Sequence, residues 1–409
     1  MSFQTGVRSR PDLVVEAADV TDVQRAITQG LPVSAQATGH GAMSSDGGVL
    51  INTARLDHVH IDPQARTAEV GAGVTWDGVV REAARHGLAP LSGTSPTVGV
   101  AGYTLGGGLS PLSRRYGYAA DHVLSVDIVL PSGEHRRVSA DDEDLFWALR
   151  GAGRSFGVVT SLRFKLFPVD RILGGSLTFD PARFPEVLQH YRKWTDEVPD
   201  DLTSALALTN FPDSPGMPPP LRGRKVLRVV VVGGEEPALE PLRRIGVLED
   251  TVRAMRYADI AAVFAEPTTP HGFQGDAVVA TDLDPAAAAD FADLFDPGAE
   301  HAMFLVVHHL GGAMATPPTP ANAVGHRDAR FLVRATTPVV YPAAAGLGAL
   351  HSTMIEKLGR GSKRRMLNFL FGDAPQQAAT CYDPADHRRL TELKRRIDPT
   401  NLIRPARGI

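Results

Sequence analysis

The chain has almost no cysteine and no long apolar run. Cys381 is the only cysteine among 409 residues, which excludes an internal disulfide and fits either a reducing cytoplasm or a compartment of no particular redox state. Apolar runs such as Val229–Val232 are too short to cross a membrane, and Met1–Pro11 lacks the apolar core of a secretory signal. We therefore expect a cytoplasmic protein with no membrane partner.

An excess of positive charge is also missing. The formal net charge is -4, from 42 lysines and arginines against 46 aspartates and glutamates. Phosphate backbones are bound by clustered Lys and Arg, and the one dense basic run, Lys363–Arg365, is interpreted as a solvated face. The sequence thus predicts no nucleic-acid partner. It leaves the oligomeric state open, with a homodimer considered.

Several catalytic motifs are absent. Gly151–Gly157 has one residue too many for a dinucleotide fingerprint, and it follows a predicted helix and precedes a strand, the reverse of the required order. No P-loop and no Gly-x-Ser-x-Gly elbow is present. The pairs His308–His309 and His58–His60 have no carboxylate or cysteine at ligand spacing. These gaps argue against a nicotinamide dehydrogenase, a P-loop enzyme, a serine hydrolase and a metal site.

Glycine is abundant instead, and it is clustered. Of the 40 glycines, many lie in Thr38–Gly41 and Gly93–Gly108, at the ends of predicted strands and with scarcely a basic residue. Successive backbone N–H groups in such turns form a concave anion site, and glycine lets a backbone approach phosphate oxygens closely. Either cluster alone is equally consistent with a tight turn.

Helices and strands alternate in the part of the chain before Pro168. Periodicity predicts helices over Val20–Ile27, Trp76–His86 and Ala140–Arg150, the last capped by Ser139. The predicted strands are Leu31–Thr38, Val49–Ile51, Val59–Ile61, Thr67–Val74, Val123–Leu130, Arg136–Val138 and Val158–Phe167.

The pattern changes after Pro168 and returns near the end. Leu173–Arg365 alternates helical segments with strands such as Val226–Val232 and Phe304–His309, and predicts a second domain with its own sheet. The tail, Met366–Ile409, is predicted to contain a strand, Leu367–Phe371, and a helix, Pro384–Arg396.

Eight segments, taken in order, carry a family resemblance. They are Gln36–Gly41, Asp46–Val49, Gly93–Gly99, Gly102–Gly108, Tyr116–Gly117, Asp144–Gly151, Phe156–Thr160 and Asp398–Asn401. With these motifs the chain resembles the FAD-linked oxidases of the vanillyl-alcohol-oxidase superfamily, which have a PCMH-type FAD-binding domain. Within it, the chain resembles the bacterial members of the berberine-bridge-enzyme-like branch.

The resemblance implies an α+β fold and an FAD cofactor. Residues 1–170 and 366–409 would form the PCMH-type FAD-binding domain of two α/β subdomains. Residues 171–365 would form a substrate-binding domain, whose antiparallel sheet, covered by helices, roofs the flavin ring.

The resemblance also implies the site. Thr38–Ala42 would be the diphosphate loop, and His40 would be bonded to the flavin's 8α carbon, since an unprotonated imidazole is a good nucleophile near neutral pH. A flavin tethered in this way is expected to be a stronger oxidant. The implied cofactor-binding residues are Thr38, Gly39, His40, Gly41, Ala42, Gly93, Thr94, Ser95, Val98, Gly99, Gly102, Tyr103, Leu105, Gly106, Gly157, Val159, Asn368 and Asn401.

The sequence departs from the family pattern at two positions. Ser95 replaces the cysteine that makes a second flavin link in many members, and a hydroxyl is too weak a nucleophile without an adjacent base, so FAD is expected to be covalent through His40 only. Phe369, after Asn368, replaces the family's proposed catalytic tyrosine and cannot accept a proton. Tyr103 and His309 are therefore the candidate catalytic residues, unless the reaction needs no base.

The expected function is that of an FAD-dependent oxidoreductase. Hydride would pass from a small organic substrate (a secondary metabolite, alcohol, sugar or amine) to flavin N5, with dioxygen as the second partner. The small Val98, where the family is thought to gate oxygen, favours an oxidase over a dehydrogenase. Two alternatives stay open. One is a cyclase, rearrangement or oxygenating enzyme of natural-product biosynthesis, and the other a degenerate FAD-binding protein without turnover.

Overall fold

The fold is taken from a computed structural model, which describes residues 2–213, 219, 221–295, 301–339, 346–371, 375–404 and 409. Its strands, in chain order, are β1 (Ser9–Arg10), β2 (Leu13–Glu16), β3 (Val33–Gln36), β4 (Ser45–Asp46), β5 (Val49–Asn52), β6 (Val59–Asp62), β7 (Thr67–Gly71), β8 (Val123–Val129), β9 (His135–Val138), β10 (Val158–Lys165), β11 (Arg171–Phe179), β12 (Leu202–Asn210), β13 (Lys225–Gly233), β14 (Glu249–Asp250), β15 (Arg253–Arg256), β16 (Phe273–Ala280), β17 (Met303–His309) and β18 (Phe331–Pro338).

The helices lie between these strands and after them. The α-helices are α1 (Val20–Ile27), α2 (Trp76–Ala84), α3 (Val100–Leu105), α4 (Ser113–Tyr116), α5 (Glu143–Leu149), α6 (Phe184–Trp194), α7 (Glu240–Arg243), α8 (Ala261–Phe264), α9 (Leu347–Leu358) and α10 (Pro384–Ile397). Short 3-10 helices are Ala119–His122, Pro181–Arg183, Glu236–Leu239, Tyr257–Asp259, Pro285–Phe295, Gly312–Ala315, Leu367–Phe369 and Pro375–Cys381.

A small parallel sheet positions the first glycine cluster. Its order is β2-β5-β3, and α1 packs on it through buried residues such as Val23 and Ile27. The helix begins where predicted, because the Asp19 side chain accepts a hydrogen bond from the Asp22 backbone N–H. Ile403, from the tail, bridges to Val33 of β3, so the end of the chain belongs to the same layer.

A second, antiparallel sheet has the order β6-β7-β10-β8-β9. It shares one core with α2, α3 and α5, which contribute side chains such as Trp76 and Phe146. The predicted start of α5 is wrong. Asp142, not Ser139, caps this helix by accepting from the Leu145 backbone N–H, so the first turn begins at Glu143 rather than at Ala140.

The largest sheet has the order β14-β11-β13-β12-β17-β18-β16, with β15 paired to β11, and its described pairings are antiparallel. One face, carrying Leu305 and Val333, is covered by α6 and α9. The other face, carrying Leu332, packs against Tyr118 and other residues that precede this sheet in the chain. This arrangement confirms the predicted α+β class and the helix-covered antiparallel sheet.

The tail contains one predicted element and not the other. The α10 helix was predicted over Pro384–Arg396 and is confirmed to within one residue, with Pro384 in its first turn. The predicted strand Leu367–Phe371 is wrong. Residues Leu367–Phe369 form a 3-10 turn in which the Phe369 N–H donates to the Met366 carbonyl, and only Phe371 bridges to β16, at Gly275.

The domain boundaries predicted after residues 170 and 365 stay predictions.

No helix within the described ranges is long and apolar enough to cross a membrane. Within the same ranges, no group of three or more His, Cys, Asp or Glu side chains is arranged to hold a metal ion.

The tail is fastened by a buried ion pair, which can be tested. Lys394 donates to Asp398 at 2.6 Å and to the backbone oxygens of Ser155 and Ile403, and both partners of the pair are at most 5% exposed. Because Lys394→Met leaves Asp398 buried without its cation, we expect the free energy of unfolding to fall by about 3–5 kcal/mol in urea denaturation. The exposed neighbour substitution Arg395→Met should change it by under about 0.5 kcal/mol. Equal losses in both variants would contradict this role.

Candidate functional site

The imidazole of His40 is held on both sides by hydroxyl groups. His40 lies in the loop after β3, and its Nδ1 is 2.9 Å from Oγ1 of Thr38. Its Nε2 is 3.1 Å from Oγ1 of Thr97, which is in turn 3.2 Å from Oγ of Ser95. Phe3 stacks on the ring with centroids 3.7 Å apart. The contacts join the two glycine clusters at one ring.

Burial keeps this imidazole neutral. Desolvation, with a smaller repulsion from His271, lowers the pKa of His40 from 6.5 to about 4. At physiological pH the ring is therefore uncharged, and one of its nitrogens donates a hydrogen bond while the other accepts one. A neutral imidazole is the nucleophilic form, which is what covalent attachment of an electrophilic cofactor requires.

The loop Thr38–Ala42 offers a cradle rather than a filled turn. Gly39 has φ +75°, and a Cβ there would lie 2.3 Å from Oγ of Ser2, so this position requires glycine. Gly41, in contrast, has no atom within 4 Å of the Cβ position. Arg154 donates to the backbone oxygen of Gly41 at 3.3 Å, and thereby brings a positive charge to a loop that has none of its own.

The second glycine cluster, Gly93–Gly108, contains the α3 helix, which the sequence did not predict. Gly99 precedes α3 and lies against Thr38, since a Cβ at Gly99 would be 3.4 Å from the Thr38 side chain. Gly102, on α3, again has nothing within 4 Å. Just before this helix, Val98 is partly buried against the core of the second sheet, and Thr94 donates to Glu266 at 2.5 Å.

Tyr103 is packed in a way that argues against its predicted role as a base. Its ring fills the space beside Gly93 and Gly108, where a Cβ would approach it to 2.9 and 2.6 Å, and it meets Trp76 edge-on at 5.2 Å. Burial raises the pKa of the Tyr103 phenol well above its ordinary value, so the group stays protonated and is a poor proton acceptor. Its hydroxyl oxygen is buried without a hydrogen-bond partner.

Asn368 fixes the end of α3. Its Nδ2 donates to the backbone oxygen of Tyr103 at 2.8 Å, and a Cβ at Gly106 would lie 1.9 Å from its Oδ1. Phe369, which follows, lies beside His308, with ring centroids 5.9 Å apart. The Asn-Phe pair therefore connects the glycine-rich helix to the large sheet.

The roof residues are the side chains on the sheet face opposite to α6 and α9. Because neighbours along a strand alternate, His308 shares this face with Val306, whereas His309 shares the helix-covered face with Val307. His308 has a buried Nε2 with no partner, and burial near Arg334 lowers its pKa to about 3. The His308 side chain is thus on the face opposite to α6 and α9. It is neutral, and its Nε2 has no hydrogen-bond partner.

The position of the His309 side chain does not fit the catalytic role that was predicted for it. Its Nε2 is 3.0 Å from Arg114, and its ring stacks on Phe331 at 5.9 Å. Arg114 also donates to the backbone oxygens of Leu202 and Leu310. This placement argues against His309 as a proton acceptor, because the side chain is on the wrong face of the sheet and serves to hold α4 against the strand ends.

The remaining predicted cofactor residues lie apart from His40. The Leu105 backbone oxygen accepts from the N–H groups of Gly151 and Gly153. Gly157 and Val159 lie at the start of β10, where Val159 pairs with Ile128. Asn401, at φ +52°, is near the amino end of β3, whereas His40 follows its carboxyl end. Their roles toward a cofactor stay predictions.

Several site residues were not predicted. Thr97 lies inside a recognised motif, and Arg154 inside the rejected Gly151–Gly157 fingerprint, so both could have been chosen from the sequence. Phe3 and His271 contact the site from distant parts of the chain, and no local pattern marks them.

Comparisons with known proteins define the cofactor. The pattern of an FAD binding domain matches residues 11–139. The (R)-6-hydroxynicotine oxidase of Paenarthrobacter nicotinovorans is 36% identical over 182 residues, which cover 42% of this chain and 40% of that protein. The aligned part thus spans about two fifths of this relative.

Solved structures match over the whole chain. The structure of 6-hydroxy-D-nicotine oxidase from Arthrobacter nicotinovorans has a TM-score of 0.82 at 24% identity, covering 98% of this chain and 92% of that one. Glucooligosaccharide oxidase from Acremonium strictum has a TM-score of 0.82 at 18% identity, covering 100% and 93%. The chain therefore contains an FAD-binding domain and has the fold of the FAD-linked oxidases, as predicted. FAD is the cofactor of this domain.

The residues present fit this cofactor. Open space at Gly41 and Gly102 admits a close ligand, Arg154 carries positive charge next to the cradle for an anionic diphosphate, and His308 presents a buried polar atom that lacks a partner. Buried polar atoms are rarely left unpaired, so these features are accounted for by a large polar ligand.

The low pKa of His308 predicts how stability depends on pH. The folded protein favours neutral His308 while the unfolded chain protonates near pH 6.5, so this stability is present above pH 6.5 and is lost as the pH falls toward 3. Replacing His308 by Leu should reduce the loss in free energy of unfolding between about pH 7 and 5 by up to about 2 kcal/mol. Urea denaturation at each pH measures it. His60→Leu, at an exposed histidine, should leave the slope unchanged. An unchanged slope in His308→Leu would refute the assignment.

Proposed function

We propose that this protein is an FAD-dependent oxidase of a small organic substrate, with FAD attached covalently through His40 alone. The observation that carries the proposal is the neutral, partly buried His40 ring, held by Thr38 and Thr97 in an FAD-binding domain. We further assign it to the bacterial, berberine-bridge-enzyme-like branch and to the cytoplasm.

When bound, FAD supplies a two-electron acceptor that takes hydride from a substrate carbon and is reoxidised by dioxygen, which yields hydrogen peroxide. The protein's own residues do the rest. Thr38 and Thr97 orient His40, Arg154 adds charge at the cradle, and the large sheet excludes water from the other side. The small Val98 leaves room for dioxygen, which favours an oxidase.

Ser95 supports the single tether. It occupies the position of the second link in the family, but its hydroxyl is bonded to Thr97 at 3.2 Å and has no base next to it among the described residues. The glucooligosaccharide oxidase of similar fold is described as having a 6-S-cysteinyl, 8α-N1-histidyl FAD. Only the histidyl half of that linkage has a counterpart here.

We assign to His308, and not to His309, the role of contacting the substrate. His308 lies on the roof face, beside the phenylalanine that replaces the family's tyrosine. With its pKa lowered to about 3, it is a poor general base but a competent hydrogen-bond acceptor. We assign it to orient a substrate hydroxyl or amine by accepting its hydrogen bond, and the proton would leave to solvent.

The covalent tether is tested by acid precipitation. The wild-type pellet should remain yellow, and His40→Ala should lose its flavin to the supernatant, because the substitution removes the nitrogen that would form the bond. Peptide mass spectrometry should find one flavin-bearing peptide, which contains His40 and not Ser95. The control His60→Ala, at an exposed histidine, should retain the colour. A pellet that stays yellow in His40→Ala would exclude the tether.

The oxidase assignment is tested with a panel of alcohols, sugars, amines and hydroxy acids. A substrate should bleach the visible flavin absorbance without oxygen, and admission of air should restore it with about one peroxide per substrate oxidised. Bleaching followed by slow, peroxide-free recovery would indicate a dehydrogenase. A product without bleaching would indicate rearrangement, and failure of every compound together with failure of photoreduced flavin to react with air would contradict an oxidase.

A further inference from the structure

We propose that the substrate of this site is an anionic small molecule, a carboxylic acid with an apolar body, and that Arg334 binds its carboxylate. The proposal rests on the proposed function, since it names the substrate class of the same site. It is carried by a row of four residues across the large sheet, by an apolar patch between two arginines, and by the unpaired state of one of them.

The row follows from the strand register. Arg228 of β13 pairs with Ala207 of β12, Ala207 pairs with Val306 of β17, and Val306 pairs with Arg334 of β18. Paired residues share a face of a sheet, so all four belong to the roof residues. With strands about 4.8 Å apart, the two arginine Cα atoms are separated by about 14 Å, with small side chains between them.

The middle of this row is apolar, and its side chains belong to none of the larger hydrophobic cores. Ala205, Ala207 and Val306 form a cluster of their own, 7–9% exposed. On either side of it, the same face is covered by side chains that precede the sheet in the chain, through Val232 and Leu332. The patch is thus a separate apolar surface on this face, between the two regions that those cores cover.

Arg334 ends this patch with an unsatisfied charge. Its Nε is buried and has no hydrogen-bond partner, and no carboxylate of the described residues lies within the 4.0 Å of an ion pair. Within the described residues, the ring that its guanidinium contacts is that of Phe369, 5.8 Å away. Glu266 is near enough to act electrostatically on both arginines, but it accepts from Thr94 at 2.5 Å.

Arg228 differs from Arg334 in having a partner. It donates to the backbone oxygen of Phe264 at 3.3 Å. Glu266 acts electrostatically on both arginines, and Arg334 is the one with a buried Nε that has no hydrogen-bond partner. Arg334 is half-buried, and its Nε is fully buried. A planar carboxylate, which can accept two N–H groups of one guanidinium, is the ligand that best satisfies it.

A neutral sugar or alcohol would leave Arg334 uncompensated when it closed the site. A carboxylic acid would place its charge on Arg334 and its apolar body over Ala205, Ala207 and Val306. His308, which pairs with Leu332 in the neighbouring row of the same face, is then available to the hydroxyl or amine that is oxidised. The site thus selects for a substrate with a charged end and an apolar middle.

The test uses the FAD-loaded protein and matched pairs of probes, benzoate with benzamide and cyclohexanecarboxylate with its carboxamide. Each is titrated while the visible flavin spectrum is followed, which needs binding but no turnover. The carboxylates should bind at least about tenfold tighter than the amides. Arg334→Met should abolish this preference, Arg334→Lys should retain part of it, and Arg256→Met, at an exposed arginine paired with Asp259, should retain all of it.

The outcomes separate this inference from the proposed function. Equal affinity for acids and amides, or an undiminished preference in Arg334→Met, would overturn it even if the flavin is tethered and reacts with dioxygen. Retained flavin content and circular dichroism exclude misfolding of the variant. If Arg334→Met instead weakens sulfite addition to the flavin and leaves carboxylate binding intact, Arg334 serves the cofactor and the inference is wrong.

Discussion

The site depends on the hydrogen bonds that fix His40 between two threonines. Thr38 belongs to the loop after β3, and Thr97 to the glycine-rich stretch before α3, so the ring is bonded to two loops that leave different sheets. The parallel sheet that carries the first loop is itself held by the tail, through the bridge of Ile403 to Val33. Burial, which keeps the imidazole neutral, is thus a consequence of how three distant segments pack.

The two faces of the large sheet also differ in what packs against them. One face is filled by leucine, valine and helix side chains. The other carries His308 and Arg334, whose buried polar atoms lack partners within the described residues. Such groups are destabilising unless a ligand satisfies them. This is the face on which we propose that the substrate binds.

Local signals predicted much of the fold and part of the site. The α1 and α10 helices have clear periodicity and terminal residues, and were located to within one residue. The α3 helix was not predicted, because glycine has a low helix propensity and its contacts with Asn368 and Trp76 come from distant parts of the chain. The segment Leu367–Phe371 has strand-like composition, but it lies where β16 offers only one bridge.

The sequence by itself determined the FAD-binding motifs, the histidine available for a tether and the loss of the family's tyrosine, since these are matters of residue identity and order. It also determined that His308 and His309 lie on opposite faces of a strand, because side chains alternate with period two. Only the tertiary structure decided which face meets the rest of the chain, which arginine keeps a buried Nε without a hydrogen-bond partner, and that Phe3 covers His40. These are long-range packing relations, and no local pattern encodes them.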